Sequence, residues 1–349
     1  MLEVGYVGNM GIKLNNIRNF NPARFIPGTV YDPVAGLENT LSNPSNLNDR
    51  VLYEPGILAP YAWVLGNDFR SWYNSFQVQL TKRMSHGFSV TSSYTLAKAI
   101  DMCSYTCEAC GCVSNPFNLR SIRGRANFDR RNAFVISWVW TPPLNFSDRW
   151  KNALLGGWTF SGITAVQSGL PMTFSYGSYG LDVAVNGTVS APQHAFPTGE
   201  AIPLNHPSRS AMINEFFNTN AFVDATCTYD SAAAQGNPQY IEQNNCTPFG
   251  IKYSLLGQYG ATGRNILSGP AFSSTDFAIL KVFPFKERYQ FQFRSEFFNA
   301  FNQVNFNNPD SSVIDGPAFG TIQSTLAAGG QIGNGSTGRV IQFALKFLW

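Results

Sequence analysis

The chain ends in GRVIQFALKFLW, a segment in which Ile341, Phe343, Leu345, Phe347 and Trp349 are apolar while Gln342 and Lys346 stand between them. A period of two places the five apolar side chains on one face of an extended strand. Chain ends are ordinarily polar and frayed, so a strand that carries this much apolar surface to its last residue must be pinned along its length. Its apolar face needs an apolar partner, and Lys346 needs water. Two surroundings supply both: the core of a β-sandwich, or hydrocarbon outside a β-barrel.

The same period recurs along the chain. It places Leu2, Val4 and Tyr6 opposite Glu3 and Gly5, and Phe76, Val78 and Leu80 opposite Ser75, Gln77, Gln79 and Thr81. It sets Phe88, Val90, Tyr94 and Leu96 against Ser89, Thr91, Ser93 and Thr95, and it puts Phe134, Ile136, Trp138 and Trp140 on one face. Tyr289, Phe291 and Phe293 alternate with Gln290, Gln292 and Arg294. In GWTFSGITAVQSG the alternation slips near Gly162, where a bulge is expected. EFFNAFNQVNF reads as the continuation of the Tyr289 strand, bending near Asn299, in preference to an amphipathic helix.

Alternation alone does not separate a sandwich from a barrel. Strand length does, because these runs reach roughly 10–14 residues against a usual 5–6. Aromatics gather at their ends (Trp72, Tyr73, Trp138, Trp140, Trp158, Trp349), as interfacial girdles require. The connections also alternate. Met84–Gly87 and 285–288 are short, 142–155 is intermediate, and 101–128, 171–270 and 304–336 are long and polar. Outer-membrane barrels place short turns in the periplasm and long loops outside. Composition agrees: 13% of residues are charged, 14% are aromatic and the net charge is +3, with no basic run to suggest nucleic acid. No apolar stretch is long enough for a transmembrane helix, and the first residues, MLEVGYVGNM, do not read as a signal peptide. The expected fold is all-β, an antiparallel transmembrane β-barrel in the bacterial outer membrane.

The segments LEVGYVGNMGIKL, WYNSFQVQLTKRMSHGFSVTSSYTLAKAID, FDRRNAFVISWVWTPP, LLGGWTFSGITAVQSGLPMTF and, most specifically, residues 260–309 resemble the C-terminal barrel region of Oar-like TonB-dependent outer-membrane transporters, a type with a carboxypeptidase-regulatory-like domain. The resemblance spans nearly the whole chain. It implies a barrel of about 22 strands, a plug, and coupling to the TonB complex. It also implies that Ile341, Phe343, Leu345, Phe347 and Trp349 form the signal read by the barrel assembly machinery. Only nine or ten strands are expected within 1–349, with no plug domain and no coupling motif. Nine is odd, so the first strand would start on the extracellular side. The chain thus reads as a C-terminal fragment that reaches the TonB complex only through a missing plug region.

Several residues invite chemistry. Cys103, Cys107, Cys110 and Cys112 cluster in one long loop, and Cys227 and Cys246 sit in another. Their spacing is not that of a zinc ribbon, and an even count in an oxidising compartment favours disulfides, Cys227 with Cys246 being the simplest pair. His86, His194 and His206 are scattered, and no catalytic constellation stands out. The Gly-rich GPAFGTI and AAGGQIGNG lie in a loop ahead of a strand, a poor context for phosphate binding. Arg123, Arg125, Arg130 and Arg131 with Asp129 suit either a substrate-binding rim or, preferably, lipopolysaccharide contact and solvation. Gln77, Gln79, Gln290, Gln292 and Arg294 are candidate lumen-facing residues. Expected partners are outer-membrane lipid and an unknown ligand. No cofactor, metal or enzymatic activity is expected. The functional expectation is ligand capture and uptake, against an outer-membrane adhesion barrel or a soluble carbohydrate-binding sandwich.

Overall fold

The computed structural model describes residues 1–55, 63–104, 115, 117–144, 146–176, 194–285, 289–326 and 338–348. Thirteen strands are present among them: β1 Leu2–Asn19, β2 Thr29–Asp32, β3 Leu37–Thr40, β4 Trp63–Ser85, β5 Phe88–Asp101, β6 Gly124–Arg125, β7 Asn132–Trp140, β8 Trp158–Gln167, β9 Pro171–Met172, β10 Leu267–Ser268, β11 Phe272–Phe285, β12 Tyr289–Phe298 and β13 Val340–Leu348. Eight long strands make one antiparallel wall in the order β1-β4-β5-β7-β8-β11-β12-β13, and β6 pairs with the end of β5 as a ninth. Each long strand lies between its predecessor and its successor in the chain. The shortest wall strands have nine residues, which suffices to cross a bilayer at a tilt.

Register fixes the faces. Leu2, Val4 and Tyr6 lie beside Leu80, Val78 and Phe76; Val78 lies beside Tyr94, and Tyr94 beside Phe134. The row continues through Phe160, Ile279, Phe293 and Leu345. No second sheet covers it: Tyr6 is 70% exposed, Phe343 68% and Leu345 73%. A soluble sandwich would bury such a row, so that alternative is excluded. The polar face holds Glu3, Asp101, Asp276 and Glu296 together with Gln77, Gln79, Gln290, Gln292 and Arg294. Tyr73, expected in a girdle, pairs with Ala99 and Asn9 on this polar face. Trp349 lies outside the described residues.

Two expectations about the strands are corrected. The ninth strand, β6, is only two residues long and does not span the wall. Eight spanning strands make β1 and β13 antiparallel, so β1 starts at the end where β13 finishes, and the parity argument for an extracellular start fails. Nor is there a bulge at Gly162. It pairs without slippage with Trp138 on one side and Phe277 on the other. The two rings lean over it, their centroids 6.0 Å apart, and fill the gap that the missing side chain leaves in the apolar row. Register shifts occur instead between β1 and β4, with an extra residue on β1 between Gly11 and Leu14 and one on β4 between Gly66 and Phe69.

The connections separate by end. The strand ends linked in the β4–β5, β7–β8 and β11–β12 connections lie at one end of the wall, and those linked in β1–β4, β5–β7, β8–β11 and β12–β13 at the other. His86 (φ 51°) and Gly87 (φ 74°) are both left-handed, the backbone of a type I′ hairpin whose twist matches the strands it joins. The 141–157 join carries a short helix, Arg149–Leu155. Asn299 (φ 49°) turns the chain where β12 stops at Phe298, so the strand reading of EFFNAFNQVNF holds for 296–298 and is corrected for 299–306, which leave the sheet.

A Cβ at Gly87 would sit 1.9 Å from the Thr141 carbonyl oxygen, and one at Gly162 2.9 Å from the Trp138 ring. Gly87→Ala and Gly162→Leu are each expected to destabilise the wall by about 1–3 kcal/mol. A lower denaturant midpoint in detergent, followed by the heat-modifiable band on gels, checks this.

Candidate functional site

At the long-connection end the loops fold on one another into a cap. Its core takes Phe174, Tyr176, Phe196, Phe217, Phe222, Ile251 and Leu256 from the 168–271 connection and Val313 and Phe319 from 299–339, with Phe25 from the first connection packed against it. Phe174 lies 4.3 Å from Phe222 and 4.7 Å from Phe217, and Phe217 lies 5.1 Å from Phe319. Each such pair stabilises by about 0.5–1.5 kcal/mol beyond its burial. Composition concealed this core, because Gly, Asn and Ser outnumber the aromatics. The signal that could have revealed it is the recurrence of Phe and Tyr through 174–259, too frequent for a solvated loop.

Polar groups knit the cap together. Glu38 on β3 is fully buried, and its Oε2 accepts from the Ile241 N–H at 3.0 Å. This places a carboxylate at the start of the Tyr240–Asn244 helix, where the dipole favours it. Cys227 and Cys246 are joined by a disulfide. Cys103 is also disulfide-bonded; Cys107, Cys110 and Cys112 lie outside the described residues. His194 donates from Nδ1 to the Thr262 carbonyl at 2.8 Å, and burial lowers its pKa from 6.5, so at neutral pH it is an uncharged part of the core. His206 stacks on Phe216.

A clasp ties the cap to the wall above the polar face. Arg264, three residues before β10, forms a buried ion pair with Asp101 at the end of β5 and also donates to its carbonyl at 3.0 Å. Asp101 further accepts from Ser104 Oγ at 2.6 Å. One residue on, Asn265 (φ 57°) donates to the Arg125 carbonyl at 2.6 Å and to Asn127 Oδ1 at 2.7 Å, and exchanges bonds with Thr173. Arg125 reaches Asp129 at 2.8 Å and Ser268 Oγ at 2.8 Å, while Asp129 accepts from the Ala99 N–H at 2.7 Å. On the other side, the Asn305 amide pairs with both main-chain groups of Ser273 at 2.8 Å, and Asp276 accepts from the Asn299 N–H.

The sequence-derived candidates therefore divide. Arg125 and Asp129 are neither a free rim nor a solvated stretch; they are clasp residues. Arg130 donates to the Ser168 carbonyl at 2.8 Å, and Arg123 lies over the Trp72 ring at 4.5 Å on the apolar side. Gln77 and Gln79 on β4 share the polar face with Gln290, Gln292 and Arg294 on β12, though four strands lie between β4 and β12 in the sheet order. GPAFGTI contributes Phe319 and Ile322 to buried positions; AAGGQIGNG lies outside the described residues. Among the described residues no cluster of three or more metal-ligating side chains occurs. Arg264 and Asn265 went unremarked in the sequence because a lone GRN triplet has no local pattern. Their role exists only where distant connections meet.

Such an arrangement holds and positions; its polar groups are consumed by one another. The Arg264 and Asp101 side chains are 9% and 7% exposed, and removing either partner of such a pair leaves a buried charge. Asp101→Asn and Arg264→Gln should each destabilise cap docking by about 3–5 kcal/mol, and the double variant by less than the sum. Hydrogen exchange at Ala195 and Thr262, read by mass spectrometry, checks this.

A family model for an outer membrane beta barrel domain matches residues 1–342. No curated protein matches the chain. The chain belongs to the outer membrane beta barrel domain family, which places it in the bacterial outer membrane.

Proposed function

With that membership as premise, we propose that the chain is the wall-and-cap part of a TonB-dependent transporter of the Oar-like type. It captures a ligand at the cell surface and passes it along the polar face. The observation that carries this reading is the clasp. Arg264 and Asp101 hold a folded cap at the mouth, directly above the face bearing Gln77, Gln79, Gln290, Gln292 and Arg294. The sequence resemblance supplies the coupling: a plug region outside these residues engages the TonB complex. The chain binds and admits; it does not catalyse. Outer-membrane lipid contacts the apolar row, and the barrel assembly machinery reads its terminal part.

The wall is part of a larger barrel in this reading. Among the described residues β1 and β13 each have one neighbour, and an unpaired strand edge in hydrocarbon costs several kcal/mol per orphaned group. Further strands cover those edges. Cysteines at Gly5 on β1 and at Gln342, Ala344 or Lys346 on β13 are therefore not expected to cross-link in cells. Efficient disulfide formation between them would mean that the eight strands close on themselves.

One observation favours a second reading, an adhesion barrel: the cap has a hydrophobic core of its own, as a surface-binding module would. Uptake separates the two. Cells are offered radiolabelled ferric siderophores, oligosaccharides, peptides and cobalamin, with and without the gene and with and without a protonophore. Accumulation of one compound that needs both the gene and the proton-motive force is expected. Gene-dependent binding that never becomes internal would instead establish adhesion.

A further inference from the structure

Lys281 poses a problem that the wall does not solve by itself. It sits on β11 in the apolar row, beside Trp158 on β8 and Phe293 on β12. A cation there meets hydrocarbon, which is costly unless it is covered and bonded. It is covered, with only 1% exposure. The cover is the 141–157 join. Nζ donates to the Leu154 carbonyl at 3.1 Å and to the Gly156 carbonyl at 2.5 Å, the orphan acceptors at the end of the Arg149–Leu155 helix. The rings of Trp158 and Phe283 lie 4.8 Å and 5.0 Å from the same ammonium, and Trp158 Nε1–H donates to the Leu154 carbonyl at 2.9 Å. These bonds fix the helix against the apolar side of the wall, at its short-turn end.

The helix then presents an apolar surface of its own. Trp150 and Leu154, one turn apart, are 65% and 60% exposed, and Leu155 and Leu144 are also open. Lys151 lies 5.5 Å from the Trp150 ring and pairs with Asp148. Trp and Leu on one side with Lys beside them is the composition of a helix that lies in a membrane interface. Its surface is continuous with the apolar row through Trp158. We infer that the Arg149–Leu155 helix is an interfacial collar, seated by Lys281, whose Trp150 and Leu154 enter the headgroup–acyl boundary of the periplasmic leaflet. The partner is phospholipid, and the collar sets how deep this edge of the wall sits. This rests on the membrane placement of the wall.

The test uses single cysteines labelled with an environment-sensitive fluorophore in the full chain, reconstituted in phosphatidylcholine vesicles with or without nitroxide-labelled lipid. Unsubstituted protein labelled in parallel gives the background. Leu345→Cys on β13 reports the wall, Leu154→Cys the collar and Asn152→Cys its polar side. Expected is loss of emission at 345 and 154 and none at 152. Adding Lys281→Met should abolish the loss at 154 and spare it at 345. Loss at 345 with none at 154 overturns the collar alone; no loss at 345 overturns the membrane placement. Unchanged quenching at 154 in the Lys281→Met background overturns the seating role.

Discussion

A main-chain N–H inside a bilayer has nothing to bond except another strand, and the architecture follows from meeting that requirement. The ladder from β1 to β13 pairs each long strand with its chain neighbours. Once the ladder is laid, alternation is forced, because every second side chain must face lipid. Four acids of the ladder respond accordingly: Glu3, Asp101, Asp276 and Glu296 stand on the polar side. The cations on the apolar side need individual solutions. Lys82 bends to the Ser85 and Phe88 carbonyls at the turn, and Lys281 takes the carbonyls of a helix end.

The cap answers to different physics. Beyond the bilayer, water satisfies stray main-chain groups, so regular strands are dispensable, and the connections are held by aromatic packing, short helices and side-chain amides. Asparagine does much of this, since it tolerates left-handed backbone and bonds main chain from both ends of its amide. Asn265, Asn299 and Asn302 all have positive φ. Cap and wall meet through a buried ion pair and a set of side-chain hydrogen bonds. Asp101 ends β5 at the place where hydrocarbon gives way to solvent, where a charge can be placed and then covered by Arg264.

The wall was legible in the sequence because its signal is local. A period of two within ten residues identifies each strand, and the contrast between short and long connections gives the orientation. The finer errors have physical causes. Gly162 looks like a slip because periodicity counts side chains, whereas the gap is filled by Trp138 and Phe277 from adjacent strands. The parity argument rested on a count of nine, whereas eight long strands span the wall. The cap was illegible because its core joins Phe25, Phe174, Phe217 and Phe319, which no window of sequence contains. The Cys227–Cys246 pair could be anticipated, being the two cysteines of one connection; the Arg264–Asp101 pair, 163 positions apart, could not.

That difference in reach between wall and cap orders events in time. Each wall hairpin closes between strands that follow one another in the chain, so it can form as soon as its second strand is present, whereas contacts between remote segments wait on the closure of everything between them. The cap core needs a residue as early as Phe25 and one as late as Phe319. It therefore condenses after β12 has joined the ladder, and an ordered outer surface is displayed only by a molecule whose wall has been laid nearly to its end.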